Sequence, residues 1–249
     1  GQRARGAVVS AGGALAGDTE GALIGGGFAT ARSLRGVGIS GGATVIRGPS
    51  RGALVAGGVN FTADHRGSLV AGGVNVARDL NGVSIAPINV QRHVRGLQVG
   101  VVNVADDVDG AAIGVLSISK SGKFQPLAWA ATDGSTHVAL KSTVGWVFTQ
   151  LGAGIDLSDD TFSYDGGVGV HLKLGDSFFV EPGVHYSGHH ETADASGSLS
   201  EHQLHYLVQG GARVGDKVDF LLGAGLRNTI SGGSGASVAP EGRAGIAFF

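Results

Sequence analysis

The chain has 249 residues, of which 47 are glycine and 15% are charged, and its formal net charge is −2. This low and balanced charge disfavours nucleic-acid binding, and no basic patch interleaved with aromatic residues is present. The absence of cysteine excludes disulfide bonds, thiolate zinc sites and thiol nucleophiles. The absence of methionine and the start at Gly1 predict a mature chain whose secretory signal peptide has been removed.

A repeat of about 15 residues occupies the first half of the chain, from Gly6 to about Gly122. Each copy begins with a turn residue and a glycine, and Val or Ile stands three residues after every one of these glycines. The opening glycines are separated by 15, 15, 16, 15, 15, 14 and 14 residues. Self-similarity at a fixed period is the signature of a stacked repeat architecture. The opening glycines are Gly6, Gly21, Gly36, Gly52, Gly67, Gly82, Gly96 and Gly110.

Two folds fit the repeat. In a short-period β-solenoid each copy is one of about eight coils, whereas in an antiparallel meander the copies add strands to a single barrel of about 16 strands. A meander alternates direction and needs turns of two kinds, but every copy here has the same junction. The 14-residue copies would also reverse the side-chain phase of a continuous strand. The sequence therefore favours the solenoid.

An asparagine column runs through the later copies, at the same position in each. In a stacked sheet such side chains form an amide ladder that satisfies itself, and we predict this ladder rather than a ligand-binding face. The column consists of Asn60, Asn75, Asn89 and Asn103 and is continued by Ser117.

The composition changes near Lys123. Only Phe28 and Phe61 are aromatic before this residue, and 13 aromatic residues follow it. We therefore predict two domains, a glycine-rich repeat domain at 1–122 and a second domain at 123–249.

The second domain shows strict two-residue alternation between apolar and polar side chains over long segments. Strands of about ten residues with one apolar face and aromatic residues near the ends are typical of transmembrane barrels. The pattern predicts an all-β, eight-stranded antiparallel transmembrane β-barrel. The predicted strands are 124–131, 135–143, 146–156, 161–174, 176–188, 200–214, 217–229 and 239–249.

The connections between these strands alternate between tight turns and longer loops rich in Gly, Ser and Ala, as in outer-membrane barrels. The chain also ends in Phe249 at the end of a predicted strand, which resembles the assembly signal of outer-membrane barrels. We expect a protein of the Gram-negative outer membrane, with outer-membrane lipid as its surroundings.

Two segments, 82–90 and 96–104, resemble the G-x-Q-x-G-x-x-N repeats of bacterial "surface repeat" outer-membrane proteins. The segments 127–134 and 145–154 are similar to the C-terminal region of that family. The glutamine of the motif is kept at Gln98 alone. The resemblance covers most of the chain and implies location in the outer membrane more than a particular activity.

One cluster has catalytic residue types. His185-Tyr186-Ser187 resembles the His-x-Ser of outer-membrane lipid A deacylases, with Glu181 on the same strand face as the acid. A serine hydrolase needs a base within hydrogen-bond reach and an acid that orients it. The asparagine that follows the serine in that family is replaced by Gly188, and the pair is expected to face the barrel lumen.

Two further groups of residues could bind ligands. His189 and His190 have suitable side chains for zinc or copper, although a hydrated polar loop is the simpler interpretation. Arginines at the repeat junctions could meet phosphates or an acidic partner, but nearby aspartates favour a charge-balanced edge. These arginines are Arg35, Arg51, Arg66 and Arg95.

The sequence thus predicts a non-enzymatic integral outer-membrane protein with a structural or partner-docking role, without a cofactor. The first coils, through Val9 and Ile24, are expected to contact a second copy or another envelope protein, since bare solenoid ends invite stacking. The alternatives are a porin-like channel for small solutes, if the repeats are barrel strands, and a lipid A deacylase-like hydrolase.

Overall fold

The computed structural model describes residues 3–156, 161–191, 201–215, 217–231 and 237–248. The chain is an all-β protein that divides into two compact units, Gly1–Gly122 and Lys123–Phe249. Among the described residues, no helix is long and apolar enough to cross a membrane.

The first unit is a parallel β-solenoid of eight rungs, as predicted. Each rung contributes one segment to each of two stacked ladders. The strands are β1 Arg3–Ser10, β2 Gly13–Leu15, β3 Asp18–Gly25, β4 Phe28–Ala31, β5 Ser33–Ser40, β6 Ala43–Ile46, β7 Ser50–Ala56, β8 Val59–Ala71, β9 Val74–Ile85, β10 Ile88–Val99, β11 Val102–Ala105, β12 Asp107–Ile113 and β13 Leu116–Ser119.

Successive rungs pair in parallel and without a shift in register, so that Gly52 lies beside Gly67 and Asn60 beside Asn75. The alternative of a single barrel of about 16 strands is therefore wrong, since a meander pairs its strands antiparallel. The shorter copies fit the stack because the deleted residue falls at the corner of the rung, between β9 and β10 and between β10 and β11.

The opening glycine of each copy has a backbone conformation that other residues rarely adopt. Gly82 has a φ of +143°, and all eight opening glycines have φ values between +101° and +145°. A Cβ atom at Gly82 would also lie 1.9 Å from the carbonyl oxygen of Gly67 in the preceding rung. Both conformation and stacking distance therefore require glycine in this column.

The residue two positions after each glycine points into the solenoid core, whereas the Val and Ile column does not. Leu23, Leu54 and Leu69 of that position are completely or almost completely buried. The next residue points outward because side chains alternate along a strand, and Val9, the first of the β-branched column, is 67% exposed.

The predicted asparagine ladder is confirmed. Each amide nitrogen donates to the side-chain oxygen of the next rung, from Asn60 to Asn75 (2.9 Å), to Asn89 (3.3 Å), to Asn103 (2.9 Å) and to Ser117 (3.2 Å). All five side chains are buried. Burial inside the stack leaves no ligand face, and the ladder supplies the hydrogen bonds that buried amides need.

The second unit is a closed antiparallel barrel of eight strands, as predicted, and one of the eight is interrupted. The strands are β14 Lys123–Ala131, β15 Thr136–Val144, β16 Val147–Asp156, β17 Thr161–Val170 with its continuation β18 Leu172–Lys173, β19 Phe178–Glu191, β20 Glu201–Val214, β21 Val218–Ser231 and β22 Ser237–Phe248.

Neighbouring strands of the barrel follow each other in the chain, and β14 pairs with β22 to close it. Closure leaves no free sheet edge. The predicted strands agree with the observed bounds to within a few residues, apart from the break between β17 and β18. At this break the backbone nitrogen of His171 donates to the carbonyl oxygen of Trp146 (2.8 Å).

We predict that Gly82→Ala destabilises the solenoid by roughly 1–3 kcal/mol, because alanine is strained at this φ and meets the carbonyl of Gly67. Hydrogen exchange of the rung amides in the full chain measures the effect. Gly12→Ala is the matched control, since φ at Gly12 is ordinary and nothing lies within 4 Å of its Cβ position. Equal exchange rates in the two variants would contradict the steric explanation.

Candidate functional site

The barrel carries its charged side chains inside and its apolar side chains outside. Lys141, Asp165, Glu181, Asp219 and Glu241 are all buried, as is Arg243. At the outward-facing positions of the described barrel strands there is no Asp, Glu, Lys or Arg. Exposed apolar side chains occupy these positions instead; among them are Phe124, Val138, Leu140, Leu151, Phe162, Val168, Val184, Val208, Phe220 and Leu222.

Exposed aromatic side chains lie towards both ends of the barrel. Phe124, Phe178 and Phe220 lie near the end with the tight turns, and Phe162 and Tyr164 lie near the opposite end. The arrangement has the form of the two aromatic girdles of membrane barrels.

A buried ion-pair cluster fills the barrel towards the end with the tight turns. The ammonium of Lys141 donates to both carboxylate oxygens of Glu181, at 3.0 and 3.1 Å, and His171 is 2.7 Å from the same carboxylate. Phe148 and Phe179 flank the ammonium at 5.8 and 5.4 Å from their ring centres. The cluster satisfies the charges that the closed interior takes out of water.

A second cluster has the arrangement of a Ser-His-Glu triad. Ser187 Oγ lies 2.8 Å from Nε2 of His205, and Nδ1 of His205 lies 2.5 Å from Glu241. When Nδ1 donates to Glu241, the neutral ring keeps Nε2 as an acceptor for the hydroxyl of Ser187. His189 also lies 3.0 Å from Ser187 Oγ. Ser187 is only 1% exposed, however, so that a substrate has no approach to this hydroxyl in the present conformation.

A third cluster repeats the pattern with a different proton arrangement. His137 lies 2.8 Å from Asp165 through Nδ1 and 2.8 Å from Ser135 through Nε2. The hydroxyl of Ser135 donates to Asp133 at 2.5 Å. Its proton is therefore directed away from His137, and this serine is not prepared to act as a nucleophile. The ring of His137 stacks on Trp129 with a centroid distance of 4.8 Å.

The catalytic candidates of the sequence analysis all lie on the inner face of β19, but they do not form one site. Glu181 is bound by Lys141, and the ring of His185 packs near Phe148 at 6.1 Å. The partners of Ser187 are instead His205 and Glu241, which come from β20 and β22. Both lie at inward positions of their strands, and only the strand register places them beside Ser187.

The histidine pair does not converge on one point, since neighbouring residues of a strand point to opposite faces. His189 contacts Ser187 inside the barrel, whereas the ring of His190 packs against Tyr164 at 5.8 Å. Among the described residues no group of three or more potential ligands is arranged for a metal ion. The side chain of Glu191 and residue Phe249 lie outside the described part of the chain.

A groove of about 990 Å³ runs along the polar edge of the solenoid, past all eight rungs. Its walls are the residues one and three positions before each opening glycine, which point outward, and its floor is the backbone between them. Arg35, Arg51 and Arg66 stand side by side on one wall, in three consecutive rungs. We call these three residues the arginine row. No ion pair involves them in the described part of the chain, and the charges of neighbouring rungs, about 4.8 Å apart, repel by about 1 kcal/mol in water.

His65 lies at the floor of the groove with its side chain turned into the solenoid. It is buried, and Nδ1 lies 2.8 Å from Oγ of Ser50 in the preceding rung. Burial lowers the pKa of His65 to about 4, while hydrogen bonds with the backbone of Ser68 and Gly52 act in the opposite direction. The folded solenoid therefore holds this imidazole in its neutral form.

The two predicted contact residues lie on the outer face of the first two rungs. Val9 pairs with Ile24, and β1 is an edge strand of the parallel ladder. Val9 is exposed, and Ile24 is half-buried. Their role in association stays a prediction.

Comparisons with known proteins are sparse. The sequence matches no protein-family model, and no curated protein sequence is significantly similar to it. Two solved structures resemble about half of the chain. One comes from the de novo design of transmembrane β-barrels, with 16% identity, 51% of this chain and 92% of that chain covered, and a TM-score of 0.32. The other is the solution NMR structure of the designed barrel TMB2.3, with 11% identity, coverage of 51% and 91%, and a TM-score of 0.32.

We predict that Lys141→Met lowers the free energy of unfolding by about 3–5 kcal/mol, because Glu181 keeps its buried charge and loses its principal cation. Urea titration of the refolded protein measures the loss. Lys173→Met, at an exposed position, is the control and is expected to stay within about 0.5 kcal/mol. The double variant Lys141→Met/Glu181→Leu should recover much of the loss, and a double variant as unstable as Lys141→Met would contradict the ion-pair explanation.

The lowered pKa of His65 predicts acid sensitivity of the solenoid. Unfolding returns the imidazole to its ordinary pKa of about 6.5, so the unfolded chain binds an additional proton between pH 6.5 and about 4. Stability is full above pH 6.5 and falls as the pH drops towards 4. Hydrogen exchange of 50–66 at pH 7.5 and pH 5 should show this loss. His65→Leu, which copies Leu80 at the same position of the next rung, should remove the difference, and an unchanged pH dependence would exclude His65 as its source.

Proposed function

We propose that this protein is a non-enzymatic integral outer-membrane protein in which the barrel is the membrane anchor and the solenoid is a docking module. The observation that carries the proposal is the partition of side chains in the barrel, with charges inside and apolar groups outside. A water-soluble barrel has the opposite arrangement. Leaving a large aliphatic side chain in water rather than burying it costs about 1.5–3 kcal/mol, and the barrel presents many such side chains.

Several further features support a membrane location. A barrel satisfies all of its backbone hydrogen bonds internally, which lipid requires of any spanning structure. The aromatic side chains near the two ends have the arrangement of the girdles that contact lipid head groups in membrane barrels. Closed barrels of this kind characterise the bacterial outer membrane, which supports the proposed location.

The connections support an orientation. Short turns join β15 to β16 and β20 to β21, whereas nine residues separate β19 from β20 and five separate β21 from β22. Short turns are periplasmic in outer-membrane barrels, and long loops are extracellular. β14 begins at the end with the short turns, so its first residue, Lys123, is proposed to lie towards the periplasm.

A porin-like channel receives no support from this geometry. An eight-stranded barrel has an interior just wide enough for its own side chains. Lys141, Glu181, His205 and Glu241 occupy that interior and are bonded to one another or to their neighbours. The channel alternative also depended on repeats that serve as barrel strands, and they do not.

A hydrolase remains a second candidate on one observation, the hydrogen-bonded order of Ser187, His205 and Glu241. The lipid-facing positions beside this serine are Tyr186 and Gly188, so a lipid in the bilayer has no contact with the nucleophile. We assign the cluster a structural role, in which it satisfies buried polar groups. The resemblance to surface-repeat proteins is compatible with a docking role and adds no activity.

We predict that Val208→Arg destabilises the barrel in lipid by about 2–4 kcal/mol, because this exposed side chain lies near the middle of β20 and faces the bilayer. Denaturant titration of protein folded into liposomes measures the change. Leu174→Arg, exposed beside a tight turn, is the control and should cost about 0–1 kcal/mol at the membrane interface.

A barrel that is exposed to water responds differently. Val208→Arg would then change stability by no more than about 0.5 kcal/mol, as surface substitutions do. Release of the native protein from membranes by carbonate or urea without detergent would contradict membrane integration directly.

A further inference from the structure

The groove of the solenoid combines three properties of a ligand site. It is continuous over the rungs, its walls are only two residues apart along each strand, and charged side chains line it. Residues two apart in a strand are separated by about 6.8 Å, so the groove admits one extended chain that runs along the stack. A compact ligand would use a small part of it.

Charge is segregated along this edge. The 43 residues between Glu20 and Asp64 contain no aspartate or glutamate, while Arg32, Arg35, Arg47 and Arg51 lie among them. Opposite Arg35 and Arg51, the other wall of the groove carries the neutral residues Ser33 and Pro49. Anion binding is therefore favoured in the third to fifth rungs.

The carboxylates close to the arginine row are already engaged. Asp64, opposite Arg66, is bound by Arg78 at 2.6 Å, and Glu20, the register neighbour of Arg35, lies 3.4 Å from Arg5. No carboxylate of the described chain forms an ion pair with the arginine row. The guanidinium groups of these three residues can therefore bind a ligand. Three parallel guanidinium groups repel one another until an anion lies between them.

The spacing of the row selects the class of ligand. The arginines of neighbouring rungs are about 4.8 Å apart. Carboxylates on one face of an extended peptide recur about every 6.8 Å, so successive carboxylates do not stay beside successive arginines. Single-stranded nucleic acid is held by aromatic stacking platforms, and the residues lining the groove include no Phe, Tyr or Trp. A linear chain of uronic acids carries a carboxylate on each sugar and has no bases that need such a platform.

We propose that the arginine row and the groove around it bind a linear acidic polysaccharide that carries a carboxylate on each sugar. Arginine suits this ligand because its planar fork binds a carboxylate through two parallel hydrogen bonds. The inference rests on the docking role proposed for the solenoid and names the chemistry of the partner.

The test is calorimetric titration of the full chain in zwitterionic detergent micelles at low salt, with the monomer, trimer and hexamer of galacturonic acid as ligands. Affinity should rise from monomer to trimer, as successive rungs engage, and should fall with added salt. Equal affinity for all three lengths, or no binding of the hexamer, would overturn the proposal.

Two double variants distinguish binding in the groove from a general effect of the protein's net charge. Arg51→Gln/Arg66→Gln should weaken binding of the hexamer about tenfold or more, because two charge-assisted contacts are lost. Arg92→Gln/Lys120→Gln removes the same charge from side chains outside the groove that flank Asp106, and its affinity should change less than about twofold. Equal losses in the two variants would refute the assignment to the groove.

Two competitors identify the ligand class. Tripolyphosphate and phosphatidylglycerol micelles should each displace the hexamer only weakly, and stronger binding of either would replace the polysaccharide with a phosphate chain or a lipid head group. The titration reports ligand binding, whereas the liposome and extraction experiments report membrane integration. Failure of the inference is thereby distinguishable from failure of the proposed anchor function.

Discussion

Pairing of backbone amide and carbonyl groups between strands is the interaction on which both halves of the protein depend. The chain has no helix in its described part, so nearly every buried backbone group needs a neighbouring strand. The barrel meets this requirement by closure of β14 on β22, which leaves no edge. The solenoid meets it by stacking, which leaves β1 as an edge. The barrel therefore has no free edge, whereas the described part of the solenoid has one at β1.

Strand pairing in turn decides which side chains meet. In the solenoid, parallel pairing without a shift stacks like on like, so that Asn60 bonds to Asn75 and Arg51 stands beside Arg66. The same repetition gives a buried amide ladder that stabilises the stack. It also gives an exposed arginine row in which neighbouring side chains repel one another. In the barrel, antiparallel pairing brings unlike residues together. Lys141 thus meets Glu181 although 40 residues separate them in the chain.

Several features followed from the sequence for stated physical reasons. The period of the opening glycines indicated stacking, and the structure explains the residue type by positive φ and by the approach of Gly67 to Gly82. Two-residue alternation gave the barrel strands and their number. The contacts between side chains of different strands could not be predicted from the sequence. The sequence pairs Ser187 with His185 because both lie on one strand, but strand register instead brings His205 beside Ser187 and Glu241 beside His205.

Sequence alone determined the alternation of side chains, because successive residues of a strand necessarily point to opposite faces. In the barrel the alternation also indicated which face is inside, and Glu181 is inside and Val184 outside, as expected. In the solenoid it did not. Leu69 and Val70 are both apolar, yet only Leu69 is buried, and the polar residue Asn60 is buried while its neighbour Phe61 is exposed. Hydrophobicity does not decide the inside face of a rung, because apolar side chains occupy both faces. The tertiary structure decided it, through the parallel stacking of the rungs.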